Sequence, residues 1–169
     1  MTYFKFFSLF LLGLMFLPSV SVRAQQTDDG KNPEVAGFAL ITSIDKASYK
    51  PTEPIILDMK LKNQRTTNVA YWTGSPFSIF NISVTAPNGA PASLTEYGKQ
   101  KMGPITGSHF GRILKPGDEI TGQFLLNRLY DMTLSGKYKI SVVCDIPAQD
   151  EPNKWVKIAS KTTTIVVEP

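Results

Sequence analysis

The 169 residues include one histidine and one cysteine. His109 and Cys144 cannot together build a His/Cys metal cluster, a paired-histidine site or a disulfide within the chain. A Ser/His/Asp arrangement would have to recruit His109 as its base, and no Asp, Glu or Cys lies at a ligand spacing from it. Ser108 is its neighbour, but adjacent side chains on a strand point to opposite faces. No segment follows the Asp-x-Asp-x-Asp-Gly pattern that sets oxygen ligands around calcium. Sustained three-to-four-residue apolar spacing is also missing, so long helices are excluded. Internal repeats and low-complexity tracts are absent. These gaps predict a chain that is not an enzyme and carries no cofactor and no metal.

The one long apolar run is at the start. Lys5 precedes Phe6 to Leu17, which only Ser8 and Gly13 interrupt, and Pro18 and small residues follow. Val22-Arg23-Ala24 then precedes Gln25. This is the charged segment, apolar segment and A-x-A-like site of a secretory signal peptide cleaved between Ala24 and Gln25. A run of about a dozen residues falls short of the roughly 20 needed to cross a bilayer. No cysteine near the cleavage point offers a lipid acceptor. Export is therefore expected, to a periplasm or beyond, with no transmembrane segment after cleavage. Loss of residues 1–24 takes Lys5 and Arg23 and no acid, leaving 16 basic against 14 acidic side chains. So small an excess gives no basic face for nucleic acid.

Residues 25–35 are polar around Asp28-Asp29-Gly30-Lys31-Asn32-Pro33 and read as a flexible leader, with a single domain over 36–169. Beyond the leader the chain alternates in twos. Phe38, Leu40, Thr42 and Ile44 share a face. After Tyr49-Lys50-Pro51-Thr52-Glu53-Pro54, a turn, Ile55, Leu57, Met59 and Leu61 alternate with Ile56, Asp58, Lys60 and Lys62. Val69 to Trp72 is a short apolar piece. Phe80, Ile82 and Val84 line one side of the next strand, Pro87-Asn88-Gly89 turns it, and Ser93 to Tyr97 is placed as its return. Gly98 to Gly107 reads as an exposed loop. Phe110 to Leu114, the turn Lys115-Pro116-Gly117-Asp118, and alternation at Ile120, Gly122, Phe124 and Leu126 follow. Arg128 to Leu134 has room for one helical turn. The clearest strand opens at Gly136 and aligns Tyr138, Ile140, Val142 and Cys144, and the chain closes on Trp155 to Ile158 and Thr162 to Val167. The pattern predicts an all-β fold, an antiparallel immunoglobulin-like β-sandwich of about 7–9 strands.

Leu134-Ser135-Gly136-Lys137-Tyr138-Lys139-Ile140 resembles the corner before the sixth strand of immunoglobulin-like sandwiches, where a Tyr hydroxyl bonds back to the preceding turn. Ile140 stands where a disulfide-forming Cys commonly follows, so aliphatic packing is expected in its place. From Ala39 to Ile146 the chain is similar to two families. Leu57 through Asn63, Phe80-Asn81-Ile82-Ser83-Val84 with Pro87-Asn88-Gly89, Leu114-Lys115-Pro116-Gly117 and Gly136-Lys137-Tyr138 resemble the intracellular proteinase inhibitor family of bacterial Ig-like domains. Trp72-Thr73, Glu96-Tyr97-Gly98, Lys115-Pro116-Gly117-Asp118 and Leu129-Tyr130-Asp131-Met132 ahead of Gly136-x-Tyr138 resemble the non-catalytic N-terminal region of deuterolysin-like peptidyl-Lys metalloendopeptidases. The first resemblance implies peptidase inhibition. The second implies no activity, and no His-Glu-x-x-His is present. A signal peptide departs from the intracellular family.

The remaining suggestive residues have structural explanations. Cys144 on an apolar face reads as a small buried hydrophobe. Asp28-Asp29, Asp118-Glu119 and Asp150-Glu151 read as solvated turns. Asn81-Ile82-Ser83 is a glycosylation sequon inside a predicted strand. Trp72 is expected in the core on a central strand, and Trp155, between Lys154 and Lys157, is either core or a stacking platform. The segment Tyr97-Gly98-Lys99-Gln100-Lys101-Met102 is the candidate contact surface, with Tyr97, Lys99, Lys101 and Met102 as its contact residues. The expected function is an exported Ig-like domain that binds a protein or cell-envelope component through loops. The alternatives are a secreted peptidase inhibitor presenting Gly98 to Gly107, and a hydrolase using two carboxylates alone. Expression of the full chain in an exporting host should yield a product whose intact mass begins at Gln25. A product retaining residues 1–24 would contradict cleavage at that bond.

Overall fold

Every second residue from Tyr138 to Ile146 is buried, because one face of the strand that carries them is turned to the core. The computed structural model describes residues 34–35, 37–73, 75–103, 110–148 and 155–169. In chain order the strands are β1 (Glu34–Val35), β2 (Phe38–Ile44), β3 (Ser48–Tyr49), β4 (Ile56–Asn63), β5 (Val69–Thr73) and β6 (Phe80–Thr85). They continue with β7 (Phe110–Leu114), β8 (Glu119–Leu125), β9 (Gly136–Pro147), β10 (Trp155–Ala159) and β11 (Thr163–Val167). A 3-10 turn at Pro76–Ser78 and helices α1 (Glu96–Met102) and α2 (Leu126–Leu129) complete the described elements.

One sheet has the antiparallel order β1-β2-β4-β8. In the other, β9 pairs with β6 along one edge and with β11 and then β10 along the opposite edge, while β3 joins β11 in parallel. The orders β2-β4-β8 and β6-β9-β11 reproduce the A-B-E and C-F-G sheets of an immunoglobulin sandwich. The all-β, antiparallel Ig-like expectation holds. The count is higher than expected, at eleven strands among the described residues, because β1 and β3 are two-residue pieces and β5–β7 form a separate pair.

β10 and β11 act as one bent strand. Ala159 lies opposite Val143 and Thr163 opposite Ile140, so three residues face two across a one-residue bulge. Ser160 bridges it: its N–H donates to the Val142 carbonyl at 2.8 Å and its Oγ accepts from the Val142 N–H at 3.0 Å. The far edge of β6 is closed by other means. The Tyr130 hydroxyl donates to the Ile82 carbonyl at 2.5 Å, and the Ala92 N–H donates to the Val84 carbonyl at 2.8 Å. These contacts occupy groups that an open edge would offer to another chain.

The core lies between the sheets. Leu40, Ile44, Leu57, Leu61 and Phe124 from one sheet meet Phe80, Ile140, Val142, Ile158 and Ile165 from the other. Burying each such side chain contributes about 1.5–3 kcal/mol. Gly122 makes room at the centre, since a Cβ there would lie 2.9 Å from the Phe124 ring and 3.3 Å from that of Phe80. Buried Asn63 ends β4 by donating to the Leu114 and Thr67 carbonyls and accepting the Arg65 N–H, which ties β7 to the sandwich.

Several expectations require correction. Glu34–Val35, assigned to the leader, pair with Phe38 and Ala39 because a hairpin closes there. Ser93 to Tyr97 is not a strand. Leu94 forms one bridge to Tyr130 and α1 starts two residues later, while the return along β6 is confined to Pro91 and Ala92. Gly98 to Gly107 is not an open loop over its first part, which is helical. The helical turn placed at Arg128 to Leu134 falls at Leu126–Leu129, where buried Leu126 and Leu129 anchor it. Trp72 sits on β5, outside both main sheets, and Phe80 is the buried aromatic residue on β6, the strand beside β9. The side chain of Trp72 lies outside the described residues. Tyr138 is fully buried at the corner. Burial raises its pKa, while the backbone of Leu134 in the preceding turn acts on its hydroxyl in the opposite sense.

Tyr130→Phe tests the sealed edge. Removing the hydroxyl leaves the buried Ile82 carbonyl without its partner, so denaturant unfolding should show a loss of about 1–2 kcal/mol. An unchanged midpoint and slope would show that this bond contributes nothing net.

Candidate functional site

The segment singled out from sequence folds as α1. Thr95 caps it, its Oγ1 accepting the Gly98 N–H at 3.0 Å while donating to the Arg128 carbonyl at 2.6 Å. The Thr95 N–H donates to the Leu129 carbonyl at 2.9 Å, and the Asp131 N–H donates to the Ser93 carbonyl at 2.8 Å. Gly98 is buried in this joint. A Cβ at that position would lie 2.1 Å from the Leu129 carbonyl oxygen, so only glycine permits the approach. The helix is therefore fixed to α2 by backbone contacts before any of its side chains acts.

Those side chains divide into three sets. Tyr97 is half-buried, with the Arg128 guanidinium 4.0 Å above its ring centroid and the Lys101 ammonium at 5.7 Å. Each such contact contributes about 0.5–1 kcal/mol where solvent reaches it. Lys99 is instead paired with Glu96 at 2.6 Å. Met102 packs against the core. The structure thus brings Tyr97 and Lys101 together, adds Arg128, and separates Lys99 and Met102 from them. Sequence reasoning missed Arg128 because it comes from another element, and only the α1–α2 joint places it over the ring. The expected contact loop is an ordered helix.

The other residues singled out from sequence are dispersed. Ala24, Gln25, Asp28-Asp29, His109 and Asp150-Glu151 lie outside the described residues. The Asp118 carboxylate accepts the Lys115 N–H at 3.1 Å, closing a turn, and Glu119 pairs with Lys60 at 3.0 Å. Asn81 is exposed on β6 and donates to Asp145 at 3.4 Å. Trp155 is 56% exposed on β10 and is not part of the core. Among the described residues, no three His, Cys, Asp or Glu side chains cluster to hold a metal ion. None of the described helices is long and apolar enough to cross a membrane.

No family model matches the chain, and no curated protein matches it. Among solved structures it is similar to a β-glucosidase from Listeria innocua in complex with glucose, at 12% identity and a TM-score of 0.41. The same enzyme in complex with isofagomine gives 14% identity and a TM-score of 0.40. In both cases the likeness covers 78% of this chain and 16% of the other, so the chain spans 16% of the length of these structures. They correct the expectation that the chain is not an enzyme: the proteins it matches are glycosidases, and that expectation is not carried forward. At these TM-scores the likeness brings no substrate, activity or site to this chain.

Cys144 is completely buried beside Ile158 and Phe80, and burial, reinforced by the Asp145 charge, pushes its thiol up to about 12. A thiol of an unfolded chain ionises near 8.5. The folded state therefore holds a proton that the unfolded state has lost. Its contribution to stability is complete below about pH 8.5 and declines as pH rises toward the folded value. Unfolding measured at about pH 8 and about pH 10 should show lower stability at the higher pH, with a smaller difference in Cys144→Ala. Equal pH dependence in the two proteins would remove the thiol from this effect.

Proposed function

We propose that this chain is an exported immunoglobulin-like interaction domain that engages a cell-envelope protein through the α1–α2 platform. The apolar run Phe6 to Leu17 and the small residues ending at Ala24 support export. The observation that carries the binding assignment is the Tyr97 ring, held half-exposed on a helix fixed to the core and overlaid by Arg128. Tyr and Arg on a rigid base are the side chains that most often dominate the energy of protein interfaces. Their order before binding lowers the entropy lost on association. Lys101 and Arg128 both carry positive charge here, while Lys99 is paired with Glu96. An acidic segment of a partner meets these requirements.

The test compares the exported chain with Arg128→Ala and Tyr97→Ala in pull-downs from the envelope fraction at low and high salt. A partner recovered by the native chain should be lost in both variants, with affinity reduced about tenfold, or ~1.4 kcal/mol. Recovery should also weaken as salt screens the charge pairing. A partner retained equally by both variants, or no recovery under any condition, would reject the platform. Inhibition of a secreted peptidase at stoichiometric ratio that is unchanged by these variants would also reject it, in favour of the inhibitor alternative.

A further inference from the structure

The outward face of β2-β4-β8 carries a groove of about 680 Å³, and neither Tyr97 nor Arg128 lines it. We propose that this groove binds an uncharged oligosaccharide.

Register builds the groove in two rows across three strands. Ile41, Lys60 and Thr121 stand opposite one another in the first row, and Ser43, Asp58 and Gln123 in the second. All six alternate with inward residues, so the pleat turns them outward together. Neighbouring strands are about 4.8 Å apart and alternate residues about 7 Å apart, so the two rows cover about 10 Å by 7 Å. That area is the size of one or two sugar rings, and the volume lies within the range of small-ligand sites. Because these residues sit on ladder strands, the backbone needs no ordering when a ligand arrives.

Chemistry selects the ligand class. Gln123 Nε2 donates to Asp58 Oδ1 at 2.8 Å, which orients both groups, and the Asp58 side chain is exposed. Ser43 and Thr121 add exposed hydroxyls. Lys60 is held at the rim by Glu119 at 3.0 Å. With Asp58 and Lys60 in adjacent rows, a ligand of either charge meets one attractive and one repulsive group. An apolar ligand would strip water from both charges without replacing it. Ile41 and Pro76 meanwhile offer apolar contact beside these polar groups. A neutral sugar presents hydroxyls to the carboxylate, amide and hydroxyls, and C–H faces to Ile41 and Pro76.

The experiment is an NMR titration of the isotopically labelled exported chain. The probes are maltotetraose, cellotetraose and chitotetraose, with tetragalacturonate as the anionic probe and a Ser/Asn-rich peptide as the neutral polar one. At least one neutral tetrasaccharide should shift the Ser43, Thr121 and Gln123 resonances saturably in the millimolar range or tighter. Asp58→Ala should weaken that binding about tenfold while the remaining spectrum stays native. Thr121→Lys should weaken it independently, which guards against a single variant with altered folding. The proposal is overturned if no neutral saccharide shifts these residues at millimolar concentration, or if the shifts map elsewhere. Stronger binding of the peptide or of tetragalacturonate in the groove, or full affinity in both folded variants, would overturn it too.

Discussion

The structure depends on β9 being flanked on both edges through its middle, Lys139 to Cys144. A twelve-residue strand carries more backbone donors and acceptors than one short neighbour can satisfy. β6 takes one edge, and β10 and β11 share the other across a bulge that Ser160 bridges. With both edges satisfied, the strand can be central, and the five inward residues from Tyr138 to Ile146 can be buried at no cost in unpaired backbone. The opposite sheet then needs only to match that apolar face. Gly122 leaves the space into which the rings of Phe80 and Phe124 fit.

The α1–α2 platform follows from the same arrangement. β8 must cross from one sheet to the other to begin β9, and α2 makes that crossing with Leu126 and Leu129 buried. The carbonyls of Arg128 and Leu129 then accept hydrogen bonds from Thr95, and Tyr130 seals the β6 edge. One short connection therefore closes a sheet edge, caps a helix and supplies the guanidinium above Tyr97. Electrostatics differ between the two candidate surfaces. On the platform Lys101 and Arg128 gather at one aromatic ring. On the β2-β4-β8 face, charges of opposite sign are paired or stand in adjacent rows. A charged partner suits the first surface and a neutral one the second.

Much of the fold was legible in the residues. Period-two alternation at Phe38–Ile44, Ile55–Leu61, Phe80–Val84 and Tyr138–Cys144 identified the buried faces correctly, because a strand with one face in a core must alternate. The site was far less legible. Gly98 and Gly103 looked like loop punctuation, yet Gly98 is a contact glycine inside a helix and Gly103 ends it. Composition cannot distinguish a glycine chosen for a turn from one chosen for close approach. Trp72 was assigned to a central strand by residue type, and pairing puts it on β5, outside both main sheets.

By itself, then, the sequence determined which faces of its strands are apolar and where turns interrupt them, since both follow from local spacing and backbone preference. It also determined that Cys144 lies on an apolar face, which the tertiary structure closes over completely. Tertiary structure alone decided which strands become neighbours, because pairing depends on contacts between residues far apart in the chain. It brought Arg128 over Tyr97, and it aligned Ser43, Asp58 and Gln123 in one row from three separate strands. Neither grouping has a local signature. Each exists only once long-range burial has set the register.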